Sequence, residues 1–200
     1  GSTGFASASE IRRKIDGGVL PKEDLPKETS ETLEKLLLQG KAPAKIENLE
    51  RMLIGFFRNA EAEELKEYYA VTEGAENRII AAAKTATSIE DFYEKVKTKR
   101  YTMATVRRMI IAPFLGIKKA EPTIPFLRVL AFNARGAEIM KNIKKSSNLP
   151  LITNFTPELA AVPEFAEQIA LERRATDIFS LATPVIGSAF SDYTEKITMI

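Results

Sequence analysis

The stretch FLRVLAFNARGAEIMKNIKKSSNLPLIT, residues 126–153, decides the fold, because the hydrophobic period changes inside it. Phe126-Leu-Arg-Val-Leu-Ala-Phe132 is a short apolar run rich in strand formers. Asn133 to Gly136 reads as a turn. Ala137 to Lys145 carries Ile139, Met140 and Ile143 on one helical face. Leu149-Pro-Leu-Ile-Thr153 is a second apolar run. Strand, helix and strand with short connections predict one βαβ unit with two short parallel strands.

Outward from this unit the chain reads as helices. Upstream, Ile46, Leu49, Met52, Leu53, Phe56 and Phe57 recur at i, i+3, i+6, i+7, i+10 and i+11, the pattern of one buried helical stripe. Glu61 to Tyr69 and Ala75 to Lys84 predict two short helices. Thr87-x-x-Glu90 has the form of a capping box ahead of Ile89, Phe92, Tyr93 and Val96. Thr102 can cap a helix carrying Val106, Met109, Ile110 and Leu115. Near the start, Ser7-x-x-Glu10 opens a short helix over Ile11 and Ile15, closed by Gly17-Gly18. After a loop with Pro21 and Pro26, Leu33, Leu36 and Leu37 mark a helix stopped by Gly40. Downstream, Pro157 and Pro163 each stand where a helix can start. The second of these helices runs roughly from Pro163 to Leu181, ended by Pro184 and Gly187. The expected fold is mainly α, a helical domain with a small βαβ unit in the C-terminal half.

Composition excludes much chemistry. The chain has 200 residues, room for one or two domains. Hydrophobic residues make up 44% and charged residues 28%, ordinary globular values. No apolar run approaches the roughly 18 residues of a membrane span. The longest, Met109 to Leu115, is interrupted by Pro113. There is no Cys, which rules out a disulfide scaffold, a thiolate zinc site and a cysteine nucleophile. There is no His, which rules out Ser-His-Asp triads, HExxH zinc sites and histidine bases. Walker and GxGxxG loops are absent too. No catalytic residue and no metal ligand is assigned. Residues 1–15 lack a basic stretch ahead of an apolar core, so no secretory leader is read there. Gly1-Ser2 resembles a tag-cleavage scar, and the abrupt start at Phe5 suggests a piece of a longer protein. A cysteine-free chain is compatible with the cytoplasm.

Net charge conceals the most informative feature. The chain carries 29 Lys+Arg and 27 Asp+Glu, a net of +2. Residues 95–119 hold eight cations and no acid. Residues 95–145 hold 13 cations against Glu121 and Glu138, a net of +11 that leaves −9 for the rest. Such asymmetry suggests a basic face and a polyanionic partner. The plainer reading is a solvated surface balanced by acids elsewhere in the fold.

Four segments carry candidate chemistry. Lys97-Thr-Lys-Arg-Tyr-Thr102, followed by Arg107-Arg108, joins cations, an aromatic ring and a helix start. Such cations can neutralise phosphates, and Tyr101 can stack on an unpaired base. The alternative is a solvated turn with Tyr101 in the core. Ser7-Ala-Ser9-Glu-Ile-Arg12 places hydroxyls, backbone N–H groups and an Arg where nucleotide phosphates can bind, though ordinary capping explains them as well. Glu73-Gly-Ala-Glu-Asn-Arg78 can be read as a carboxylate pair, or as capping with a local Glu–Arg pair. Arg173-Arg174-Ala-Thr-Asp177 reads as a structural ion-pair cluster.

Several of these motifs stand in a fixed order. They are Ala6-Ser-Ala-Ser-Glu-Ile-Arg12, Glu47-Asn-Leu-Glu50, Glu73-Gly-Ala-Glu-Asn-Arg-Ile79, Lys97-Thr-Lys-Arg-Tyr-Thr102, Arg128-Val-Leu-Ala-Phe-Asn133 with Gly136, Leu149-Pro-Leu-Ile-Thr153 and Ala175-Thr-Asp-Ile-Phe179. Their order and spacing resemble the C-terminal half of the bacterial tRNA(Met) cytidine acetate ligase family. The resemblance implies a parent protein with an N-terminal nucleotidyltransferase-like domain and a HIGH-like ATP site. Such a protein activates acetate with ATP as acetyl-adenylate. It then acetylates N4 of the wobble cytidine of elongator tRNA(Met). By this resemblance Ser7, Ser9 and Arg12 would touch ATP phosphates, with Mg accompanying the ATP. Lys97, Lys99, Arg100, Arg107, Arg108 and Arg128 would meet tRNA phosphates, with Tyr101 stacking on a base. Residues 1–18 would be a remnant of the nucleotide domain, 19–125 a helical domain with the basic segment, and 126–200 the βαβ unit with C-terminal helices. The HIGH-like motif and the nucleotide-binding sheet are missing here, so this chain alone is expected to be inactive and to hold no cofactor. A cytoplasmic location and no membrane partner are expected. The alternative is a non-catalytic helical module that binds RNA or an acidic protein.

Overall fold

The computed structural model describes residues 6–120, 123–195 and 197–199. The readings made at Gly1-Ser2, Phe5 and Glu121 lie outside them. The described residues form two compact units: those of Gly1–Leu49 with Phe179–Gly187, and those of Glu50–Ile178 with Ser188–Ile200.

In the first unit Ser7 caps α1 (Ala8–Asp16), its hydroxyl accepting from the Glu10 N–H at 3.2 Å. Gly17 and Gly18 close the helix as expected. A 3-10 turn, Lys22–Asp24, lies between the prolines, and α2 (Lys27–Leu38) follows. Gly40 ends this stretch at φ +66°. A Cβ there would stand 2.4 Å from Val185 Cγ2, so both backbone and space demand glycine. Val185 N–H donates to the Gly40 carbonyl at 2.9 Å. Lys45 N–H and the Asn48 side-chain amide both donate to the Ala182 carbonyl, at 2.8 and 2.7 Å. These bonds tie 40–48 to the segment after Leu181.

The second unit begins with α3 (Glu50–Asn59). Leu53, Ile54 and Phe57 are buried, but Met52, expected in the stripe, is 46% exposed. The expected stripe assumes one helical phase from Ile46 onward. Residues Ile46–Leu49 instead form a 3-10 turn with about three residues per turn rather than 3.6, which resets the phase at Glu50. The expected helix 61–69 shrinks to one turn, α4 (Ala62–Leu65). The chain is drawn out beyond it because Tyr69 N–H donates to the Ile117 carbonyl and Lys119 N–H to the Glu67 carbonyl, each at 2.8 Å. α5 (Ala75–Thr85) follows.

α6 (Ile89–Val96) is capped by Ser88, not by Thr87. The Ser88 hydroxyl accepts from Asp91 N–H at 3.1 Å, and the Asp91 carboxylate accepts from Thr87 N–H at 3.0 Å. The cap therefore stands one residue later than the Thr87–Glu90 pattern suggested, and the Asp91 carboxylate reaches past the cap to the N–H of Thr87 before it. α7 (Met103–Leu115) starts at Thr102, as expected, and ends at Gly116 in the left-handed region. Phe57 and Phe92, with ring centroids 5.5 Å apart, centre this core, and Ile79, Val96, Val106 and Met109 are fully buried around them.

The apolar run 126–132 makes two strands, β1 (Leu127–Arg128) and β2 (Ala131–Phe132). The expected turn 133–136 is instead the first turn of α8 (Ala134–Ser146). Asn133 Oδ1 accepts from Gly136 N–H at 2.9 Å, so asparagine acts as an N-cap, and glycine fits where a Cβ would come 3.2 Å from Phe132 Cβ. β3 (Leu151–Ile152) pairs in parallel with β1, Leu127 opposite Leu151, which completes the predicted βαβ unit. α9 (Pro157–Ala160) and α10 (Pro163–Leu181) begin at the two prolines. α11 (Ser191–Thr194) leads to β4 (Thr198–Met199), which pairs in parallel with β2. That second pairing was not expected. Phe126, Ile152, Phe155 and Ile169 form the core beneath this part. Among the described residues no helix is long and apolar enough to cross a membrane, and no cluster of acidic side chains could hold a metal ion.

Candidate nucleic-acid interface

The segment from the end of α6 into α7 is positioned by side chains on neighbouring elements. Arg78 on α5 reaches the open carbonyls at the C-terminal end of α6. Its Nε donates to the Val96 carbonyl at 2.7 Å and a terminal nitrogen donates to the Lys97 carbonyl at 2.9 Å. A cation is favourable at that end of a helix. The chain then turns on Thr98, whose hydroxyl accepts from the N–H groups of Arg100 and Tyr101 at 3.1 and 3.2 Å. The Tyr101 hydroxyl shares a 2.9 Å hydrogen bond with Thr72, and the Arg100 guanidinium lies 5.6 Å from the Tyr101 ring centre. Tyr101 is half-buried, between the two alternatives read from the sequence. Thr102 accepts from Thr105 N–H at 3.3 Å and starts α7.

The cations of this segment face solvent. Lys97, Lys99, Arg100, Arg107 and Arg108 are all exposed. On α7, Ala104, Arg107 and Arg108 share the exposed face that i, i+3 and i+4 spacing gives, while Val106, Met109 and Ile110 are buried. Arg107 lies 5.9 Å from the ring centre of buried Tyr93, which steadies its stem. Lys97 makes a peripheral 3.3 Å contact with Glu94. The first turn of α7 contains no acid.

Arg128, expected among the phosphate contacts, stands apart. Its guanidinium is held by Glu172 at 2.8 Å and by Asp192, and it lies 4.1 Å from the Phe155 ring centre. Its side chain is 22% exposed and that of Asp192 8%. Burial works against its charge, but the bonds to Asp192 and Glu172 outweigh burial and raise its pKa. These carboxylates occupy the groups a phosphate would need. With Thr153, Asn154, Thr176 and Thr198 it lines a cleft of about 190 Å³.

Ser7, Ser9 and Arg12 all lie exposed on or next to α1. Ser7 is engaged in capping, and Arg12 lines a cleft of about 570 Å³ with Ile15, Asp16 and Pro43 to Glu47. The Lys45 ammonium pairs with Asp16 across 2.9 Å in that cleft.

The two remaining motifs have structural roles. Arg78 binds carbonyls rather than a carboxylate, and Glu76 is buried. Arg174 donates to the Leu115 carbonyl at 2.7 Å, Arg173 lies 5.5 Å from the Phe190 ring centre, and Asp177 accepts from Phe190 N–H at 2.7 Å. Sequence reading also missed Glu50, which accepts from Ile89 N–H at 2.7 Å, and Arg58, which binds the Ala83 and Ala86 carbonyls. Their partners lie 25 to 39 residues away, so no local pattern signals them.

Residues 1–192 match the family described as HIGH Nucleotidyl Transferase, and the chain belongs to that family. Its relatives include the tRNA(Met) cytidine acetate ligase of a Thermoanaerobacter species, 35% identical over 89% of this chain and 45% of the relative. The ligase of Thermosipho melanesiensis is 31% identical over 75% of this chain and 37% of its own length. The crystal structure of Thermotoga maritima TmcAL in its apo form superposes with a TM-score of 0.90 at 26% identity, over 100% of this chain and 52% of that one. A structure of the same protein bound with alpha-thio ATP gives 0.87 at 27% identity, over 98% of this chain and 52% of that one. The chain thus spans about half the length of the relatives it matches.

Proposed function

We propose that this chain is the tRNA-holding, C-terminal part of an ATP-dependent ligase that acetylates N4 of the wobble cytidine of elongator tRNA(Met) through acetyl-adenylate. The reading rests on one observation above others: five exposed cations, Lys97, Lys99, Arg100, Arg107 and Arg108, on a rigidly braced turn and helix start without an acid among them. Relatives named for action on tRNA(Met) give this surface a natural substrate. The cations neutralise phosphates, which fixes orientation without reading sequence. Tyr101, half-buried and tethered through its hydroxyl, offers a ring face for an unstacked base. Arg128 instead holds its own unit together through Glu172 and Asp192.

Residues 1–18 belong functionally with a preceding nucleotidyltransferase-like domain, 19–125 carry the basic segment, and 126–200 carry the βαβ unit and its helices. Ser9 and Arg12, exposed at α1, complete the phosphate site for ATP and its Mg in the parent, with Ser7 shaping the helix start. Acetate is the second small substrate of the parent, and the cytoplasm is where it meets tRNA.

The test is binding of this chain to elongator tRNA(Met) and to an unrelated tRNA at low and near-physiological salt. With about five phosphates neutralised, log affinity should fall against log salt with a slope of about −3.5 to −4.5. A preference for tRNA(Met) would put identity recognition in this half. Absence of binding at low salt would refute an RNA surface on this chain.

A further inference from the structure

The basic segment does not account for all the positive charge. α8 carries Arg135, Lys141, Lys144 and Lys145 against one acid, Glu138. All four cations are exposed, and none has a carboxylate or hydrogen-bond partner among the described residues. In the same unit Lys99, Arg100, Arg107 and Arg108 are likewise exposed without a carboxylate, whereas other cations are engaged. Lys66 pairs with Glu63, Lys95 with Asp91 and Lys97 with Glu94, and Arg58 and Arg78 are spent on helix ends.

Helix stability explains only part of this. Lys144 and Lys145 sit in the last turn, where the helix dipole favours a cation. Arg135 sits in the first turn, where the same dipole opposes it and where no acid compensates. Lys141 is mid-helix and gains nothing from either end. Packing explains none of them, since α8 has no buried residue and its inward side is made by Gly136, Ala137, Met140 and Ile143. Arg135, Lys141 and Lys145 point away from that side, with Glu138 among them, while Lys144 follows Met140 by four residues along the inward stripe and is exposed in the last turn. Lys141 and Lys145 stand one turn apart, a rise of about 6 Å.

We infer that the exposed cations of α8 are a second contact for the RNA backbone, separate from the α6–α7 turn, carried by Arg135, Lys141 and Lys145 with Lys144 beside them at the helix end. The inference rests on the RNA-binding reading and extends it. The chain then holds tRNA at two stations, one before and one after β1 in sequence, and the phosphates neutralised rise from about five to eight or nine. A backbone grip at α8 orients the RNA without choosing its sequence.

The test compares the whole chain with a variant carrying Arg135→Gln, Lys141→Gln, Lys144→Gln and Lys145→Gln, titrated with tRNA across a salt series. The four positions are exposed and unpaired, so the variant should fold as the wild type does, and circular dichroism checks it. The variant should bind at least tenfold more weakly at low salt, with a slope shallower by about 3. In parallel, an amine-reactive reagent should label Lys141, Lys144 and Lys145 less in the wild-type complex than in the free chain, while Lys27 stays unprotected. If the wild-type chain binds tRNA but the variant keeps its affinity and slope, or the α8 lysines remain unprotected, α8 is not a contact and the α6–α7 reading survives. If the wild-type chain binds no tRNA at low salt, both readings fall together.

Discussion

Arg128 shows how the meaning of a residue is set by what surrounds it. As a letter it is one cation in a basic stretch; in the fold it sits between Glu172, Asp192 and the Phe155 ring. Replacing it with Met removes the positive charge and leaves Asp192, with 8% of its side chain exposed, facing no cation. Breaking such a pair from one side should cost about 3 kcal/mol, read by urea denaturation. Because its guanidinium is already occupied, the folded fraction of Arg128→Met should bind tRNA as wild type does; a large loss of affinity at unchanged stability would return Arg128 to the interface. Asp91 makes a pH-dependent counterpart. The Lys95 ammonium, then the Thr87 N–H, hold its carboxyl below its ordinary pKa. Its folded value is depressed, so its contribution is present above the unfolded value and is lost as pH falls through the folded one. Stability measured from pH 6 down to pH 3 should therefore drop more steeply in wild type than in Asp91→Asn. Parallel curves would remove Asp91 from the cap.

At the scale of elements, the sequence shows what is local and hides what is distant. The βαβ unit is legible because strand formers, a helical face and a second apolar run follow one another within 28 residues. α10 is legible because Pro163 and Pro184 bracket it. The pairing of β2 with β4 is not, since Thr198–Met199 is too short to show alternation and each residue lies 67 positions from its partner. The one-residue shift of the α6 cap is hidden for another reason: Thr87–Glu90 and Ser88–Asp91 both have the spacing of a box, and only the fold chooses. The candidate interface was legible as a charge run and a turn, but not its bracing by Arg78 from another helix or the withdrawal of Arg128 from it. The consequence for α7 is specific. Arg107 and Arg108 share its exposed face, so Arg107→Glu with Arg108→Glu should weaken all tRNAs alike, by tenfold or more at low salt, and make the salt slope shallower by about 2. Neither side chain is in the core, so the melting temperature should hold. Full affinity in the double variant would take both residues out of the interface.

For the whole molecule, charge and chemistry are divided in a way that bears on what it can do alone. A net of +11 within 51 residues sits against −9 in the rest, which suits a surface that grips a polyanion while the remainder repels it. A ligase that adenylates acetate must cradle a triphosphate and stabilise charge developing at the phosphorus under attack. This chain contains no His and no Gly-rich phosphate loop. Its α1 offers one capped helix start, with Ser7 already engaged and only Ser9 and Arg12 free beside it. Among the described residues, Arg12 opens on a cleft it shares with the carboxylates of Asp16 and Glu47, whose charge opposes a triphosphate. The chain incubated with ATP, acetate and elongator tRNA(Met) should therefore yield no N4-acetylcytidine on nucleoside mass spectrometry, while still binding the tRNA in a salt-dependent way. Binding without acetylation separates holding the RNA from activating acetate and assigns the first to this half of the family's length. Acetylation by the chain alone would place the ATP chemistry among its carboxylates, lysines and hydroxyls, and would overturn the division of labour proposed above.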